Sequence, residues 1–225
     1  MLGKQTQVKA GEFTGKIVEY FAHRFLHSRG IKKGSFFDYH LNEHHQRSNQ
    51  NGLVDEAYIG SEFLDYSRVR EKLGLAFLVL MFLPTKPFLP YFYEEVKAQA
   101  RDYDQKHARA HRDPYYMWEH LPNHALHHTL YPNAYWGVRD STLDNLLGTA
   151  PEVDPKKLER IKRIYIERGE KALPVVKAEA KRKQEEFEQR CMGVFNKAMD
   201  GLDYAAGKRW ELERIVRGVR SKIHF

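Results

Sequence analysis

Cysteine and long hydrophobic runs are what this sequence most clearly lacks. Cys191 is the only cysteine among 225 residues, which excludes a disulfide framework, a zinc finger and an iron–sulfur cluster held by cysteines. Charged residues make up 30% of the chain and the mean hydropathy is −0.67, so we do not expect an ordinary polytopic membrane protein. Met1–Gly11 is polar and has no apolar stretch typical of a signal peptide, which predicts a cytoplasmic chain or one at the cytoplasmic face of a membrane.

Several common catalytic motifs are also missing. The sequence contains no HExxH, which argues against a zincin protease, and no histidine directly followed by aspartate, which argues against a His-Asp metallophosphohydrolase. It contains no GxSxG, no phosphate-binding glycine loop and no CxxCH. These absences leave the usual hydrolase, nucleotide-binding and haem-attachment motifs without support.

The chain is instead rich in aromatic and basic residues. It has 13 Phe, 13 Tyr and 3 Trp, enough for the core of one domain, which excludes a disordered chain. The formal net charge is +7, and residues 151–225 hold 19 Lys and Arg against 13 Asp and Glu. A basic tail of this kind favours a solvated helical face over a specific nucleic-acid surface, so we predict no specific nucleic-acid partner.

The hydrophobic periodicity predicts an all-α fold. No segment shows the alternation of apolar and polar residues that is typical of a strand. Asp154 followed by Pro155 predicts a helix start, and Pro174 predicts a break. The predicted helices cover about residues 12–27, 40–46, 61–83 and 94–111, with charged helices after residue 154.

One apolar run, Leu73–Leu83, raises the question of membrane contact. Its eleven residues would span roughly 16 Å as a helix, against roughly 30 Å of bilayer hydrocarbon. Pro84, Pro87 and Pro90 follow at once, so a straight span is not expected. A buried core helix, a re-entrant segment and an interfacial hairpin remain open, and the aromatic residues at 88–93 favour contact with a membrane.

The twelve histidines are mostly clustered. One helix carries a pair four residues apart, and two later segments each combine an adjacent pair with another histidine three or four residues upstream. Such a set is not expected by chance at this composition. The three clusters are His23 and His27; His40, His44 and His45; and His124, His127 and His128.

This spacing is typical of metal ligation. Histidines at i, i+3 or i, i+4 project from one helix face and offer two nitrogens to one ion, while an adjacent pair can serve two ions. Imidazole suits Fe, Zn, Cu and Ni, and eight imidazoles exceed the four ligands of a zinc site, so two ions are predicted. His107 and His111 form a fourth pair that fits a solvated face equally well. Three interpretations remain open for His120: a metal ligand, a hydrogen-bond partner of a ligand, or a residue without a role at the metal site.

The histidine pattern resembles the eight-histidine signature of the integral-membrane di-iron hydroxylases and desaturases. After the last cluster, YWGV at 135–138 and STLDNLLGT at 141–149 are similar to the ending of the fatty acid hydroxylase and sterol desaturase superfamily, although Leu143 stands where that family has tryptophan. Glu19-Tyr20 before His23-Arg24 is similar to the opening of the family's first histidine box. The resemblance covers about residues 15–150.

The resemblance implies an O2-dependent di-iron oxidoreductase that hydroxylates, or desaturates, an unactivated C–H bond of a lipid-like apolar substrate. The implied cofactors are two iron ions, although imidazole also accepts zinc, and O2 is the co-substrate. Family members that act on sphingolipid fatty acids carry a further histidine box, which His107 and His111 would fill. The implied ligands are His23, His27, His40, His44, His45, His107, His111, His124, His127 and His128.

The same resemblance implies an organisation and partners. Residues 1–150 would form a histidine-box hydroxylase-like domain, and residues 151–225 a basic helical extension. The chain has no flavin, haem or ferredoxin module, so electrons would come from a cytochrome b5-like or ferredoxin-like donor. The extension would dock that donor or an anionic membrane surface, or it is only a solvated face. Glu43, Glu119 and Asp144 are candidates for carboxylates that orient the imidazoles, or are surface charges.

Two other functions remain open. A non-redox protein would bind zinc in the same histidine cage for hydrolysis or for structure. An adaptor would bind nucleic acid or a membrane through the basic extension alone, without the histidines. The motifs do not distinguish fatty acyl chains, sterols, carotenoids and other apolar molecules as substrates.

Overall fold

The structure, a computed structural model, describes residues 2–27, 39–60 and 66–200, together with Arg214 and Gly218. These residues form helices and no strand, which confirms the predicted all-α fold. A π-helix covers Tyr39–His44, and 3₁₀-helices cover Glu56–Tyr58 and Leu83–Thr85. The α-helices of the described residues are α1 (Lys4–Leu26), α2 (His45–Gln50), α3 (Tyr66–Met81), α4 (Pro90–Ala110), α5 (Pro114–His120), α6 (Pro122–Thr129), α7 (Thr142–Leu146) and α8 (Pro155–Asp200).

The chain divides into two compact units, Met1–Lys177 and Ala178–Phe225. The first unit contains α1 to α7, the start of α8 and all the clustered histidines. The boundary predicted after residue 150 stays a prediction, since it rests on charge and motifs rather than on packing.

Two glycines allow α1 and α4 to pack closely side by side. A Cβ atom added to Gly11 would lie 2.7 Å from Cβ of Glu95, and one added to Gly15 would lie 2.7 Å from Cβ of Gln99. Real Cβ atoms do not approach so closely, so any larger residue would push the helices apart. This α1–α4 pair is the main helix contact of the first unit, and it forms the base on which the histidines of both helices are placed.

The main hydrophobic core is formed around α5 and α6. Met117, Leu121 and Ala125 are almost completely buried there, and Leu53 packs with them from the segment after α2. Partly buried side chains from the start of α8 (Leu158, Ile161, Tyr165 and Ile166) close this core from outside.

Most predicted helices are present, with shifted ends. α1 begins at Lys4, well before residue 12, because its first turns bury Gln7 and Gly11 against α4, and neither residue contributes to an apolar pattern. α4 begins at Pro90, a favourable first helical position for proline. The predicted start near Ser61 lies outside the described residues. α8 begins at Pro155 as predicted.

The predicted break at Pro174 is wrong. α8 continues through Pro174 to Asp200. Proline removes one backbone hydrogen bond and crowds the preceding turn, but the flanking sequence is rich in alanine, lysine and glutamate, which favour helix. These neighbours sustain the helix on both sides of the proline.

The apolar run forms most of α3, and it is not a buried core helix. Leu73 and Phe77 are each 65% exposed, Leu80 is 57% exposed and Met81 is 61% exposed. They follow one another at helical spacing along one face, with no charged residue from position 73 to 85. Within the described residues, no helix is both long enough and apolar enough to cross a bilayer.

The close α1–α4 contact predicts opposite effects for two glycine-to-alanine substitutions. Gly15→Ala places a methyl group against the Cβ of Gln99, and we expect it to destabilise the protein by about 1–3 kcal/mol. Gly193→Ala, on the exposed part of α8 with open space around its Cα, gains helix propensity and should be neutral or stabilising by up to about 1 kcal/mol. Thermal unfolding followed by circular dichroism compares the two. Equal effects would show that the helices do not meet at Gly15.

Candidate metal centre

Ten histidines converge in the interior of the first unit. All ten are at most 9% exposed, although they come from α1, the π-helix, α2, α4, α6 and the residues that directly follow α1 and α4. The structure thus brings together the ten histidines that the resemblance implies as ligands: His23, His27, His40, His44, His45, His107, His111, His124, His127 and His128. His120 is exposed, its ring lies against Tyr116, and it is not part of the cluster.

Five of these side chains form one group, here called the five-histidine group. Each offers one ring nitrogen, and these nitrogens all lie within 4.8 Å of one another. Nε2 of His127 is 3.2 Å from Nε2 of His27 and 3.2 Å from Nε2 of His45. The members are His23, His27, His40, His45 and His127.

Four others form a second group, here called the four-histidine group. Its nitrogens also lie within 4.8 Å of one another, and Nε2 of His111 is 3.0 Å from Nε2 of His124. Both members of the fourth histidine pair, His107 and His111, lie here, so these two side chains are not on a solvated face. The members are His44, His107, His111 and His124.

The π-helix explains how one short segment serves both groups. Its i→i+5 bonding adds a residue to the turn, so side chains five apart come closer to a common face than in an α-helix. His40 and His45 consequently both join the five-histidine group, while His44 between them joins the four-histidine group. The adjacent pair His44-His45 is divided between the two groups, as the sequence predicts for an adjacent pair.

His128 lies between the two groups. Its ring stacks on His45 with centroids 4.1 Å apart, and it contacts His124 edge to face at 4.5 Å and His111 at 4.8 Å. Among the described residues, neither of its nitrogens has a hydrogen-bond partner. It belongs to neither group by distance, but it is the ring that borders both.

In the five-histidine group, backbone carbonyl groups fix the rings. Nδ1–H of His23 donates to the carbonyl oxygen of Trp136 at 2.9 Å, and Nδ1–H of His127 donates to that of Ala134 at 2.7 Å. Because Nδ1 carries the proton, Nε2 keeps a free lone pair directed into the group. Nε2 of His23 is buried and has no hydrogen-bond partner among the described residues.

In the four-histidine group, two carboxylates and one backbone carbonyl group fix the orientation of the rings. Nδ1 of His44 lies 2.7 Å from Oδ2 of Asp55, and Nδ1 of His107 lies 3.0 Å from Oε1 of Glu71. Nδ1–H of His111 donates to the carbonyl oxygen of Leu53 at 2.9 Å. The Nε2 atoms of His44 and His107 are again buried and without a hydrogen-bond partner in the described part of the chain.

Backbone strain coincides with the carbonyl groups that receive these hydrogen bonds. Among described residues other than glycine, only Leu53 (φ 76°) and Tyr135 (φ 55°) have positive φ, which costs energy for a side chain of this size. The carbonyl of Leu53 accepts from His111, and Tyr135 lies between the carbonyls of Ala134 and Trp136. The strain is therefore stored where the chain turns its carbonyl oxygens towards the histidines.

Asp144 acts on the histidines through the loop that follows α6. It is fully buried, so it is not a surface charge. Its carboxylate accepts from the backbone N–H groups of Trp136 at 2.8 Å and Gly137 at 2.7 Å, and from the hydroxyl of Thr149 at 2.7 Å. The residues of the sequence motif at 135–149 thus hold the loop whose Trp136 carbonyl orients His23.

Sequence reasoning missed two of the carboxylates that orient ligands. Of its other two candidates, Glu43 is 59% exposed on its side chain and pairs with Arg47 at 3.9 Å, and Glu119 is exposed. The carboxylates that contact imidazoles are Asp55 and Glu71. They lie on elements without histidines, so no spacing rule within one helix could find them.

Burial favours the uncharged form of most of these imidazoles. It lowers the pKa of His23, with help from His27, to about 3, and it lowers the pKa of His27 to about 4. The pKa values of seven further histidines are well below their ordinary value, again mainly through burial: His40, His44, His45, His111, His124, His127 and His128. Neutral imidazole is the form that binds metal ions.

The two groups fit metal ions in donor type and spacing. Two nitrogens bound to one ion at about 2.1 Å lie about 3.0–3.4 Å apart for angles between octahedral and tetrahedral. The nitrogen pairs at 3.0 and 3.2 Å match that separation. Buried nitrogens without partners need an explanation, and a bound ion supplies one. Each group is therefore a candidate site for one metal ion.

An apolar cavity of about 370 Å³ lies beside the candidate metal centre, between α1, α3 and α4. Its walls include His23 of the five-histidine group and Glu71, which contacts the four-histidine group. Most of the remaining wall is aliphatic or aromatic, and exposed Phe25 and Phe77 lie at its edge. The cavity thus connects the metal centre with the surface between α1 and α3.

Comparisons with known proteins assign neither a family nor a function to this chain. No protein-family model, curated protein or solved structure matches the chain. The resemblance to the fatty acid hydroxylase and sterol desaturase superfamily therefore rests on the motifs of this sequence alone.

The two groups predict that metal content falls one ion at a time. We expect His23→Ala and His107→Ala each to reduce the bound metal from two ions per chain towards one, because each substitution removes a donor from a different group. His120→Ala is the matched control and should retain both ions. Elemental analysis after dialysis against a chelator measures the content. Two ions retained in both ligand variants would contradict the division into groups.

Proposed function

We propose that this protein is an O2-dependent di-iron oxidoreductase that hydroxylates, or desaturates, an unactivated C–H bond of a lipid-like apolar substrate. In hydroxylation, the C–H bond and O2 are converted, with two electrons and two protons, into one C–OH group and one molecule of water. Two bound iron ions would supply the activation of O2. The protein would hold the ions, keep water away and present the C–H bond to them.

One observation carries this proposal: the apolar cavity shares His23 with the five-histidine group. A cavity that held only a polar substrate would need polar groups along its walls. The polar side chains at this cavity bind one another instead. Arg139 donates to Glu19 at 2.5 Å and to Gln99 at 2.8 Å, so the wall offers mainly apolar contacts to a substrate.

The donor set favours iron over a closed zinc site. Structural zinc takes four ligands in a tetrahedral arrangement, whereas the five-histidine group offers five imidazoles. Imidazole also suits iron, and two ions side by side provide the two-metal arrangement that the histidine pattern implies. Zinc in both groups, with no dependence on O2, is the alternative that metal analysis distinguishes.

The shape of the cavity favours an elongated substrate. It follows α1 from Gly15 to His23, an axial distance of about 12 Å. A volume of about 370 Å³ lies at the lower end of the range for small-molecule sites, about 300–1,000 Å³. A hydrocarbon chain lying along α1 would bring one of its carbon atoms to the histidines.

The surface around the cavity edge would face a lipid bilayer, from which such a substrate would enter. Phe25 of α1 is 59% exposed and Phe77 of α3 is 65% exposed, beside the uncharged outer face of α3. At the end of this face, Nζ of Lys4 lies 5.2 Å from the Tyr91 ring centroid. Aromatic rings with neighbouring lysines are typical of the membrane interface, where the amines meet anionic headgroups.

The two electrons would come from a separate donor protein. The sequence has one cysteine and no flavin or haem motif, so a cytochrome b5-like or ferredoxin-like partner is proposed. Such carriers are commonly acidic, and the basic residues after position 150 would attract them.

The proposed function predicts O2-dependent turnover that depends on the cavity. Protein loaded anaerobically with Fe²⁺ and given a chemical reductant should consume O2 and oxidise an apolar acyl chain. Ala100→Phe fills the cavity, so we expect it to keep both ions and to lose at least tenfold in product formation. Mass spectrometry of the product and elemental analysis measure the two effects.

Ala98→Phe is the matched control, because Ala98 is exposed on the same helix and does not line the cavity. It should retain wild-type turnover. Binding of two zinc ions in preference to iron, with no product from any apolar chain, would reject the oxidoreductase in favour of the zinc alternative.

The proposed membrane surface predicts binding to lipid vesicles. Leu80→Glu places a charge on the uncharged face of α3, and we expect it to weaken binding to phosphatidylcholine–phosphatidylglycerol vesicles by about tenfold or more, since a buried leucine contributes about 1.5–3 kcal/mol. Leu146→Glu, at a residue 72% exposed on α7, is the control and should bind as the wild type does. Cosedimentation measures both, and equal binding of the two variants would rule out α3 as the contact.

A further inference from the structure

The two histidine groups differ in the groups that lie within hydrogen-bond distance of their Nδ1 atoms. In the five-histidine group, the Nδ1 atoms of His23 and His127 donate, within the described part of the chain, to the carbonyl oxygens of Trp136 and Ala134. In the four-histidine group, the partners include the carboxylates of Asp55 and Glu71. A carbonyl oxygen carries a partial charge, whereas an ionised carboxylate carries a full one. The four-histidine group is therefore the more strongly electron-donating of the two.

Asp55 is buried, the side chain of Glu71 is 14% exposed, and both carboxylates are held in place by charged or backbone groups. Asp55 is 0% exposed, accepts from the N–H of Ala57 at 3.0 Å and lies 3.2 Å from Nε of Arg47. Glu71 binds Arg68. Because each carboxylate is fixed by a second partner, it can hold the imidazole in one orientation instead of following it.

Glu71 is enclosed by hydrogen-bond donors. Nδ1 of His107 lies 3.0 Å from its Oε1, and the Arg68 guanidinium pairs with its Oε2. The phenol of Tyr58 also donates to Glu71 at 3.0 Å, and its ring stacks on His111 with centroids 5.1 Å apart. Glu71 thus links one ligand of the four-histidine group to a ring that packs on another.

We propose that the two metal sites are inequivalent: Asp55 and Glu71 are positioning residues that make the four-histidine group the tighter site, so that the first ion binds there. Carboxylates behind ligating histidines typically contribute about 10–100-fold each to metal affinity. Together they outweigh the additional neutral imidazole of the five-histidine group. This inference rests on the two metal sites of the proposed function and not on its oxidative chemistry.

A second consequence concerns the substrate. The five-histidine group is the one whose own ligand, His23, lies in the cavity wall. The ion that binds second would therefore be the one nearer to the C–H bond, and the ion that binds first would lie behind it. A protein with one ion would have a filled four-histidine group and an incomplete site at the cavity.

The test on the wild-type chain is stepwise loading. Metal-free protein receives one equivalent of Co²⁺ without oxygen, and native mass spectrometry counts the ions per chain. The proposal expects mostly the one-ion species, with a single Co²⁺ absorption spectrum that changes in form during the second equivalent. A statistical mixture of zero, one and two ions, with one spectrum throughout, would overturn it. This result does not depend on whether the protein oxidises any substrate.

The variant test removes the charge and keeps the hydrogen bond. In Glu71→Gln the amide oxygen can still accept from Nδ1–H of His107, so the ring stays oriented while the negative charge is lost. We expect affinity for the first Co²⁺ ion to fall about 10–100-fold and affinity for the second to change little. Competition with a chelator of known affinity measures both steps.

Asp104→Asn is the matched control. Asp104 lies 2.7 Å from the other end of the Arg68 guanidinium, so this variant removes a charge from the same network without touching a histidine. It should leave both affinities within about threefold of wild type. Loss of the second ion in Glu71→Gln, with the first unchanged, would reverse the order that the proposal gives. If Glu71→Gln does not fold, the one-ion proteins His23→Ala and His107→Ala decide the order. The proposal expects His23→Ala, which keeps the four-histidine group, to bind its ion more tightly, and tighter binding by His107→Ala would overturn it.

Discussion

Desolvation of uncharged imidazole is the constraint on which this structure depends. Eight ring nitrogens of the cluster are buried and have no hydrogen-bond partner among the described residues. An unsatisfied buried polar group costs about 1–3 kcal/mol, so eight would cost as much as the whole stability of a typical domain, about 5–15 kcal/mol. Each neutral imidazole has one lone pair, and a metal ion in each group would accept the lone pairs directed into it, such as those on Nε2 of His23, His44 and His107. Coordination would then be part of folding itself.

The sequence predicted which histidines come together because metal ligation imposes a local rule on their spacing. His23 and His27 are four residues apart, as are His107 and His111, and this spacing is visible in the sequence. The groups that orient them obey no such rule. Asp55 and Glu71 come from elements without histidines, and the strained carbonyl of Leu53 has no signature in its side chain. The all-α class followed from the hydrophobic periodicity. Whether the helix continues through Pro174 depended on the helix propensity of the neighbouring residues.

The packing of α1, α3 and α4 explains why an apolar cavity and a polar cluster can lie side by side. The glycines of α1 bring it against α4 over its first half, while further along the two helices carry histidines towards the centre. α3 covers the space between them with one apolar face and leaves the opposite face exposed. α3 is thus apolar on both sides, and under the proposed function one side would contact the substrate and the other the lipid.

The contact between Gly15 and Gln99 has one more consequence, since both residues also line the cavity. The helices leave no room for a Cβ atom there, and Gly15 is the first residue of α1 in the cavity wall, about 12 Å along the helix axis from His23. Under the proposed function, a flexible chain lying along α1 would extend no further than Gly15 and would always reach the same depth. Gly15 would then fix the position of the chain end, and the distance from Gly15 to His23 would determine which carbon atom, counted from that end, reacts.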